Sequence, residues 1–589
     1  MVSINLHPML AVLLSQKINR IVLAFLLPVL VAGCTTTESE PTISADPVEE
    51  VAIDRVDAMP DQPQPYKMRD WEQVAKDLDA YVYDFSQEGE FRPFVWLDPN
   101  KRNLDQSTFG IFTAMGDVRQ GADVNPEAHE GLAVLGSLLG ATLVGIDKSD
   151  QDGRNYVRMA RNYFNSDRGW DIIMNFTNPE GHIGGGYGND WWYDIYNNVL
   201  FYAVGNYYPE AGYDDIMRTV ADQFYRSDSI LGDNYSYSYF DFGKMEPATN
   251  HIVPQEDVAA GYAFVLYAAY QKFGDEKYLE AAKHALTVLE NQSENRFYEI
   301  LMPFGAYLGA RMNAEQGTDF DVARFINWTL DGDATNRVGW GAMVGNWGGY
   351  DVSGLIGSTV HNGGYAFLMN TFDVLWPFAA TVRYDQRFAK AVGKWTLNAA
   401  NAARYFYPYE MPDSLQAIPE YKEVTKNVIA YEGLIKESSY DEFKGISPFV
   451  QGDGPNWAPG MPPVTMFSIY GSSHVGVFGG LIDTTNVPQI LRIDCRKTDM
   501  FRKYEAYPTY LYYNPYDSAK TITVDLGSGS TDLYDSVARE LLVRNQSGTV
   551  EISLPANSAR VLIHAPGEST YTETDGMLLA NEVPIDFRY

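Results

Sequence analysis

Apolar residues recur at the three-to-four-residue spacing of amphipathic helices from about residue 66 to about residue 440. Within this stretch a turn containing Asp or Gly repeatedly precedes an aromatic residue and a helix. The aromatic positions are Tyr156, Tyr213, Tyr278 and Phe388. The last spacing is near twice the first two, which predicts a missing copy near residues 330–340. This repeat length is typical of helical hairpins joined by one short turn and one long loop.

The hairpins predict two layers of helices. The segments 189–208, 257–273 and 365–384 are the more apolar and are expected in the inner layer. Charged segments such as 277–290 are expected outside, and a helix near 71–85 supplies a further partner. A mainly α fold, an (α/α)6 toroid over residues 66–499, buries the apolar face of every inner helix. An open solenoid is the alternative.

The apolar period changes to two from about residue 500. This pattern predicts short strands separated by turn residues, over segments 507–513, 521–526, 540–543, 550–554 and 560–564. They predict a small C-terminal antiparallel β-sandwich over residues 500–575, followed by a tail over 576–589. Its motifs, such as Asp532-Leu533-Tyr534-Asp535, resemble the terminal β domains of carbohydrate-active enzymes.

The N-terminal segment predicts an exported lipoprotein. Lys17 and Arg20 precede an apolar run too short to span a bilayer, and the run ends in Leu-Val-Ala-Gly-Cys. This ending resembles the bacterial lipobox, which implies a signal peptide over 1–33 and lipidation, including palmitate, at Cys34. Thr35 in place of Asp implies the cell outer membrane by the same resemblance. Residues 34–65 are polar and are expected to form a flexible tether.

Charge and cysteine content exclude several classes of protein. The net charge of −33 makes nucleic acid an improbable partner, because neutralising phosphates needs a basic surface. Only Cys495 remains beside Cys34, so no intrachain disulfide framework is available. No metal site or cofactor is predicted, since the chain has no Cys pair or HxxxH spacing. Aromatic residues make up 14% of the chain, a content that suits clefts facing sugars.

Loops that precede inner helices are the expected place for chemistry, because they line the mouth of a toroid. The first runs from Gly184 into the helix at residue 191. Its glycines allow close backbone approach, and aromatic faces stack on sugars. Asp190 and Asp194 are four residues apart, which predicts one helical face for both, with Asp190 as a helix cap and Asp194 as general acid. The residues expected to bind substrate here are Tyr187, Asp190, Trp191 and Trp192.

The segment Trp192-Tyr193-Asp194-Ile195-Tyr196 resembles the part of unsaturated glucuronyl and rhamnogalacturonyl hydrolases that carries a catalytic Asp. Residues 259–289 are similar to the next hairpin of those six-hairpin glycosidases and of β-glucuronidase families. The resemblance implies catalysis by Asp194. His129 and Glu130 occupy the region where those hydrolases carry a second Asp, and Glu130 suits equally a first-turn acid stabilised by the helix dipole.

Two later loops supply further candidates. The loop 249–257 carries Asn250 and His251, and its Glu256 suits equally a catalytic base and a first-turn cap. The loop 347–365 carries Trp347 and Asp351, then His361, Asn362 and Tyr365 within five residues. The His-Asn-Tyr group resembles toroid polysaccharide lyases, in which Asn neutralises a uronate carboxylate while Tyr or His moves a proton.

The sequence therefore predicts a glycoside hydrolase acting on oligosaccharides that contain glucuronyl or unsaturated glucuronyl residues. Asp194 is the predicted acid, with Glu130, Glu256 or Asp351 as the second group. One alternative is a polysaccharide lyase, with Tyr365 and His251 or His361 moving the proton and Asn362 or Asn250 at the carboxylate. The second alternative is a surface lipoprotein that binds glycan without turnover.

Overall fold

Helices dominate the first two thirds of the chain, as seen in a computed structural model. The structure describes residues 43, 45–98, 101, 105–116, 130–177, 190–209, 212–438, 441–452 and 462–589. The signal segment and Cys34 lie outside these residues. In chain order the α-helices are α1 Asp54–Asp57, α2 Trp71–Val82, α3 Gly131–Leu143, α4 Tyr156–Ala160, α5 Trp191–Tyr207, α6 Tyr213–Leu231, α7 Val258–Phe273, α8 Glu276–Glu290, α9 Met302–Gln316, α10 Val322–Leu330, α11 Leu368–Asp373, α12 Leu375–Tyr384, α13 Ala389–Ala402, α14 Ile469–Ser472 and α15 Gly476–Leu481.

Strands lie partly among the helices and partly after them. They are β1 Val95–Asp98, β2 Thr108–Ile111, β3 Tyr239–Asp241, β4 Glu246–Ala248, β5 Trp340–Ala342, β6 Asn346–Trp347, β7 Tyr350–Asp351, β8 Ile356–Ser358, β9 Tyr365–Phe367, β10 Ala430–Tyr431, β11 Gly433–Ile435, β12 Phe449–Gln451, β13 Phe467–Ser468, β14 Ile482–Thr484, β15 Leu491–Asp494, β16 Thr509–Asn514, β17 Lys520–Asp525, β18 Thr531–Asp535, β19 Glu540–Gln546, β20 Thr549–Leu554, β21 Ser558–Pro566, β22 Tyr571–Thr574, β23 Met577–Ala580 and β24 Val583–Asp586.

Six inner helices close into a ring within the described part of the chain. In order around the ring they are α3, α5, α7, α9, α12 and α15, and α15 packs back against α3. The outer helices α4, α6, α8, α10 and α13 follow their inner partners along the chain. Helix α2, which precedes all the inner helices in the chain, packs against α15 and completes the sixth pair. The predicted toroid is therefore confirmed, and the open solenoid is wrong.

The two layers differ in how their apolar residues are distributed. Helix α7 is buried on every face from Val258 to Ala269, whereas α8 buries one stripe. Gly274 ends α7 at φ +72°, and the Asp275 carboxylate then accepts the Lys277 N–H at the start of α8. This is the predicted Gly-Asp turn.

The missing copy of the repeat lies earlier than predicted. Gly317, whose φ is +66°, follows the last residue of α9, and Asp321 caps α10 by accepting the Arg324 N–H at 3.0 Å. The turn therefore lies at 317–321 instead of 330–340. Only residues 291–301 separate α8 from α9, so this repeat is shorter than the others.

An antiparallel sheet, which the sequence pattern did not predict, forms beside the ring. Its strand order is β12-β11-β9-β8-β5. The predicted helix over 365–384 instead begins with β9, where Ala366 pairs with Gly357 on one side and Leu434 on the other. Because both neighbouring strands satisfy the β9 backbone, helix α11 begins only at Leu368.

The C-terminal β region is larger than predicted. Its six-stranded sheet has the order β14-β15-β16-β21-β18-β19, so it begins at Ile482 and not at 500. The β17-β20 ribbon packs over one face of this sheet around Ile522, Leu533 and Leu554. The predicted tail over 576–589 is wrong as well, because β23 pairs there with β22 on one side and with β24 on the other.

The predicted tether is also wrong for residues 45–65, which lie against the folded body. The backbone N–H of Val51 donates to the Arg387 carbonyl at 3.0 Å. The apolar residues Ile53, Val56 and Met59 are three positions apart and are all buried. Val56 lies within the short helix α1, and Ile53 and Met59 flank it on either side. None of the described helices is long and apolar enough to cross a membrane.

The ring closes through a contact between glycines. A Cβ placed on Gly476 of α15 would lie 2.2 Å from Gly140 Cα in α3. The two helix backbones therefore touch, which only residues without side chains permit. Four positions before Gly140, a Cβ on Gly136 would lie 2.3 Å from His474 Nε2.

We expect Gly476→Ala to lower the free energy of unfolding by about 1 to 3 kcal/mol, because the new methyl group meets backbone atoms that cannot move independently. Thermal and denaturant unfolding measure the change. Gly529→Ala is the matched control, since no atom lies within 4 Å of its added Cβ. Equal stability of the two variants would contradict the close contact between α3 and α15.

Candidate active site

A cavity of about 820 Å³ opens at the rim where the inner helices begin. Glu130 precedes α3, Asp190 precedes α5, Glu299 precedes α9, and Tyr470 precedes α15. The residues that precede α3, α5, α9 and α15 thus line the cavity as predicted, whereas the loop 249–257 before α7 contributes none of the lining residues. The carboxylates lining the cavity are Glu130, Asp190, Glu299 and Glu432, and the aromatic residues are Trp192, Tyr193, Trp340, Tyr365, Phe367 and Tyr470.

Asp190 is the N-cap residue of α5, yet its carboxylate makes no capping hydrogen bond. Gln255 takes that role, because its Oε1 accepts the Trp192 N–H at 2.8 Å. The Gln255 amide also donates through Nε2 to the Asp190 carboxylate. The carboxyl group thus faces the cavity while the helix end is satisfied by another residue.

Burial raises the pKa of Asp190 to about 6. Desolvation penalises the charged form and outweighs the opposing effects of the Gln255 hydrogen bond and the Arg337 charge. An acid with this pKa is partly protonated near neutral pH, which is the state that a proton donor requires.

Tyr193 stands among the carboxylates of the cavity. Its pKa is raised well above the ordinary value, first by burial and then by the negative charges around it. The charges belong to Glu130, Asp190, Glu299 and Glu432. The phenol therefore keeps its proton and can donate a hydrogen bond within this acidic surface.

Glu299 and Arg337 form an ion pair in the wall, with Arg337 Nη2 2.6 Å from Glu299 Oε1. The guanidinium carbon lies 4.7 Å from the centre of the Trp340 ring. Trp340 Nε1 in turn donates to the Glu299 carbonyl at 2.9 Å. Burial opposes the charge on Arg337, but Glu299 and its neighbours outweigh burial and raise the pKa of the guanidinium.

Glu432 lies between β10 and β11 on another wall. The Tyr470 hydroxyl donates to Glu432 Oε1 at 3.1 Å. The Glu432 carbonyl accepts the Leu368 N–H at 3.0 Å, which ties this wall to the start of α11. Both side chains are buried and line the cavity.

The sheet brings His361 and Tyr365 to the same cavity, with their ring centroids 5.9 Å apart. Asn362, between them, has a left-handed backbone at φ +47° and does not line the cavity. Trp347 does not line it either, because its ring packs against Gly364, where a Cβ would lie 2.4 Å from the indole.

The prediction for Asp194 is wrong in its geometry. Asp194 is fully buried and does not line the cavity. Its negative charge contributes to the raised pKa of Tyr262 in α7. Asp194 therefore lies on the side of α5 that packs against α7. Asp190 has extended backbone angles of φ −142° and ψ 116°, so it is outside the helical repeat. The spacing of four therefore places the two carboxylates in different directions.

Trp191 is likewise buried away from the cavity, and it stacks on Tyr235 with ring centroids 6.0 Å apart. Successive helix residues are rotated by about 100°. Trp192 and Tyr193 consequently face the cavity, while Trp191 and Asp194 face the neighbouring helices.

Four other predicted residues have structural or surface positions outside the cavity lining. Glu256 accepts hydrogen bonds from Ser236 Oγ at 2.9 Å and Asn336 Nδ2 at 2.6 Å. The remaining three are Asp351, which accepts the Ser353 N–H, and the exposed residues Asn250 and His251. His129, Tyr187 and Cys34 lie outside the described residues.

Several cavity residues were not predicted. Tyr193 stands beside Trp192 in the sequence, and the helical rotation could have indicated it. Glu299 precedes an apolar helix in the manner of Glu130, which is a usable signal. Arg337, Glu432 and Tyr470 carry no sequence signal, because the sheet and the ring closure bring them to the cavity.

No group of three or more His, Cys, Asp or Glu side chains within the described ranges is arranged to hold a metal ion.

No protein family model matches the chain, and no curated protein matches it. Among solved structures it is similar to a GH127 β-L-arabinofuranosidase from Geobacillus stearothermophilus T6, at 10% identity over 87% of this chain and 80% of that chain, with a TM-score of 0.28. It is similar to the unsaturated glucuronyl hydrolase from Streptococcus agalactiae, at 13% identity over 59% and 90%, with a TM-score of 0.28. It is also similar to the cellulase Cel9M of C. cellulolyticum, at 12% identity over 70% and 98%, with a TM-score of 0.33.

All three are named as enzymes that hydrolyse glycosides. The (α/α)6 toroid of the present chain is assigned from its own closed ring of paired helices.

Proposed function

We propose that the chain is a glycoside hydrolase that cleaves oligosaccharides in the cavity at the mouth of the toroid. The observation that carries the proposal is the half-buried carboxyl group of Asp190, which faces the cavity with a pKa raised to about 6. Such a group can hold a proton near neutral pH and transfer it to the oxygen of a glycosidic bond.

Hydrolysis needs a second carboxylate that assists water or attacks the sugar. Glu130 keeps the role predicted from the sequence, because it lines the same cavity at the start of α3. Glu432 is the other carboxylate available for this step. Glu299 is held in the ion pair with Arg337, which suits substrate positioning better than proton transfer.

The aromatic walls suit a sugar substrate. Trp192 and Trp340 line the cavity but are largely buried, whereas Tyr365 and Phe367 are partly exposed there. Aromatic faces contact the C–H surfaces of sugar rings. The Tyr193 hydroxyl, which keeps its proton, is a donor for a sugar oxygen. Carboxylates then accept hydrogen bonds from the sugar hydroxyl groups.

The alternative of β-elimination lacks part of its predicted set. His361 and Tyr365 line the cavity, but Asn250, His251 and Asn362 do not. The side chains expected to neutralise a uronate are therefore elsewhere. Glycan capture without turnover does not call for a proton donor such as Asp190, which favours hydrolysis over the second alternative.

We expect Asp190→Asn to lower kcat by roughly 100-fold or more, since the variant has no proton to transfer. Asp194→Asn is the matched control and should retain activity, because its side chain is buried outside the cavity. Release of reducing ends from neutral and acidic oligosaccharides measures turnover. With an unsaturated uronate as substrate, falling ultraviolet absorbance reports hydrolysis. With a saturated uronate as substrate, rising absorbance reports elimination.

The raised pKa of Asp190 predicts how kcat/KM depends on pH. The active form is the protonated one, so kcat/KM should fall as pH rises through about 6. Full activity of Asp190→Asn, or loss of activity in Asp194→Asn with its fold intact, would contradict the assignment.

The proposal includes a uronate-containing substrate, because the sequence around residues 192–196 resembles that of unsaturated glucuronyl and rhamnogalacturonyl hydrolases. Arg337 is the cation that lines the described part of the cavity beside Trp340, and its guanidinium can pair with a carboxylate of the substrate.

We expect Arg337→Gln to raise KM about tenfold or more for a glucuronyl oligosaccharide, because a charged hydrogen bond is lost. For the matching neutral glucosyl oligosaccharide KM should change much less. Steady-state kinetics on the pair measure this ratio. An equal effect on both substrates would show that Arg337 does not select a uronate.

Anchoring to the outer membrane through Cys34 is likewise part of the proposal and rests on the lipobox-like ending of the signal segment. Stable anchoring needs more than one acyl chain.

We expect Cys34→Ala, expressed in a Gram-negative host, to move the protein from the outer-membrane fraction and to abolish incorporation of labelled palmitate. Cys495→Ala is the control, since that thiol is buried and should not be lipidated. Fractionation with blotting measures the distribution. Unchanged membrane association of Cys34→Ala would contradict lipid anchoring.

A further inference from the structure

A buried hydrogen-bonded network lies beneath the cavity, centred on His474. Its Nδ1 is 2.8 Å from Asp373 Oδ2, and its Nε2 is 3.1 Å from the Leu132 carbonyl oxygen. The Tyr196 hydroxyl donates to the same Asp373 oxygen at 2.8 Å, and its ring stacks near the imidazole with centroids 6.4 Å apart. All three side chains are buried, and none of them lines the cavity.

Each member lies four residues after a side chain that does line the cavity. Tyr196 follows Trp192 on α5, and Asp373 follows Met369 on α11. His474 follows Tyr470 along the turn that joins α14 to α15. Four residues are about one helical turn, so the network ties together the layer directly below the cavity wall.

The network also reaches the segment that carries Glu130, through the hydrogen bond between His474 and the Leu132 carbonyl. Leu132 is two residues after Glu130 at the start of α3, and its carbonyl accepts from His474. A Cβ on Gly136 would lie 2.3 Å from His474 Nε2, so the ring lies directly on the α3 backbone. The imidazole therefore joins segments of α3, α5 and α11 that are far apart in the sequence.

The hydrogen-bonding requirements fix the orientation of the ring. A carbonyl oxygen can only accept, so Nε2 carries a proton. Nδ1 lies at hydrogen-bond distance from the Asp373 carboxylate, and the Tyr196 hydroxyl donates to the same carboxylate oxygen. With both nitrogens and two neighbouring groups engaged, the ring cannot rotate without leaving a buried polar group unpaired.

We propose that His474 is a positioning residue for the cavity: through Asp373, Tyr196 and the Leu132 carbonyl it sets the relative placement of the segments that carry Glu130, Trp192, Met369 and Tyr470. The inference rests on the proposed function, because it concerns the catalytic groups of that site. Displacing such groups by about 1 Å can lower a rate by about 100-fold.

The test compares two variants that each remove one connection with a third variant that displaces the imidazole. His474→Asn keeps a donor near the Nδ1 position, His474→Gln keeps one near the Nε2 position, and Gly136→Ala keeps the imidazole but displaces it. Each should lower kcat at least tenfold, with a smaller change in KM. His284→Gln is the matched control, because His284 also contacts two carboxylates, but outside the cavity.

Two measurements separate positioning from a loss of fold. Thermal unfolding gives the folded fraction at the assay temperature, and an activity loss that only follows this fraction would overturn the proposal. Hydrogen exchange of the full chain should quicken in residues 191–196, 368–373 and 469–474 of the His474 variants, but not in His284→Gln. Unchanged kcat together with unchanged exchange would also overturn it.

The pH profile distinguishes positioning from direct catalysis. The shape of the kcat/KM profile should be kept in His474→Gln while its height falls, since His474 does not touch the substrate. Loss of one limb would show that His474 itself transfers a proton, against the proposal. If the wild-type chain turns over none of the oligosaccharides, the proposed hydrolysis is wrong, and the exchange measurement still decides whether His474 orders the cavity segments.

Discussion

Ring closure is the constraint on which the cavity depends. Helices α3 and α15 are more than three hundred residues apart in the chain, and they meet where the backbones of Gly140 and Gly476 touch. An apolar helix such as α7 needs neighbours on every side, and only a closed ring supplies them for each inner helix. Closure also aligns the inner helices so that their first residues share one rim.

The shared rim explains why several acids can coexist there. Helix N-termini carry partial positive charge, which stabilises carboxylates such as Glu130 at the start of α3. Burial acts in the opposite direction and prevails at Asp190, whose pKa is raised to about 6. Arg337 compensates Glu299 directly. The cavity therefore contains carboxyl groups in different environments, which is the condition for separate acid and base roles.

A second layer of interactions holds the ring to the C-terminal β region. Arg383 donates to the Asp499 carboxylate at 2.7 Å, and Arg311 donates to the Met500 carbonyl at 2.6 Å. Both arginines belong to inner helices and are buried. On the outside, Tyr513 of the β-sheet fits against Gly393 of α13, where a Cβ would lie 2.6 Å from the Tyr513 Cβ. The β region thus acts as a support for the helices, at a distance from the cavity lining.

Helix periodicity and turn residues were enough to predict the paired helices, the toroid and the presence of C-terminal strands, because these features depend on neighbours along the chain. They also identified Asp190 and Trp192, at the start of α5, as residues of the site. The choice between Asp190 and Asp194 was decided by tertiary structure: Gln255, from the loop before α7, takes over the helix cap and leaves Asp190 facing the cavity. Arg337, Glu432 and Tyr470 reach the cavity through contacts between distant segments, and no local pattern encodes such contacts.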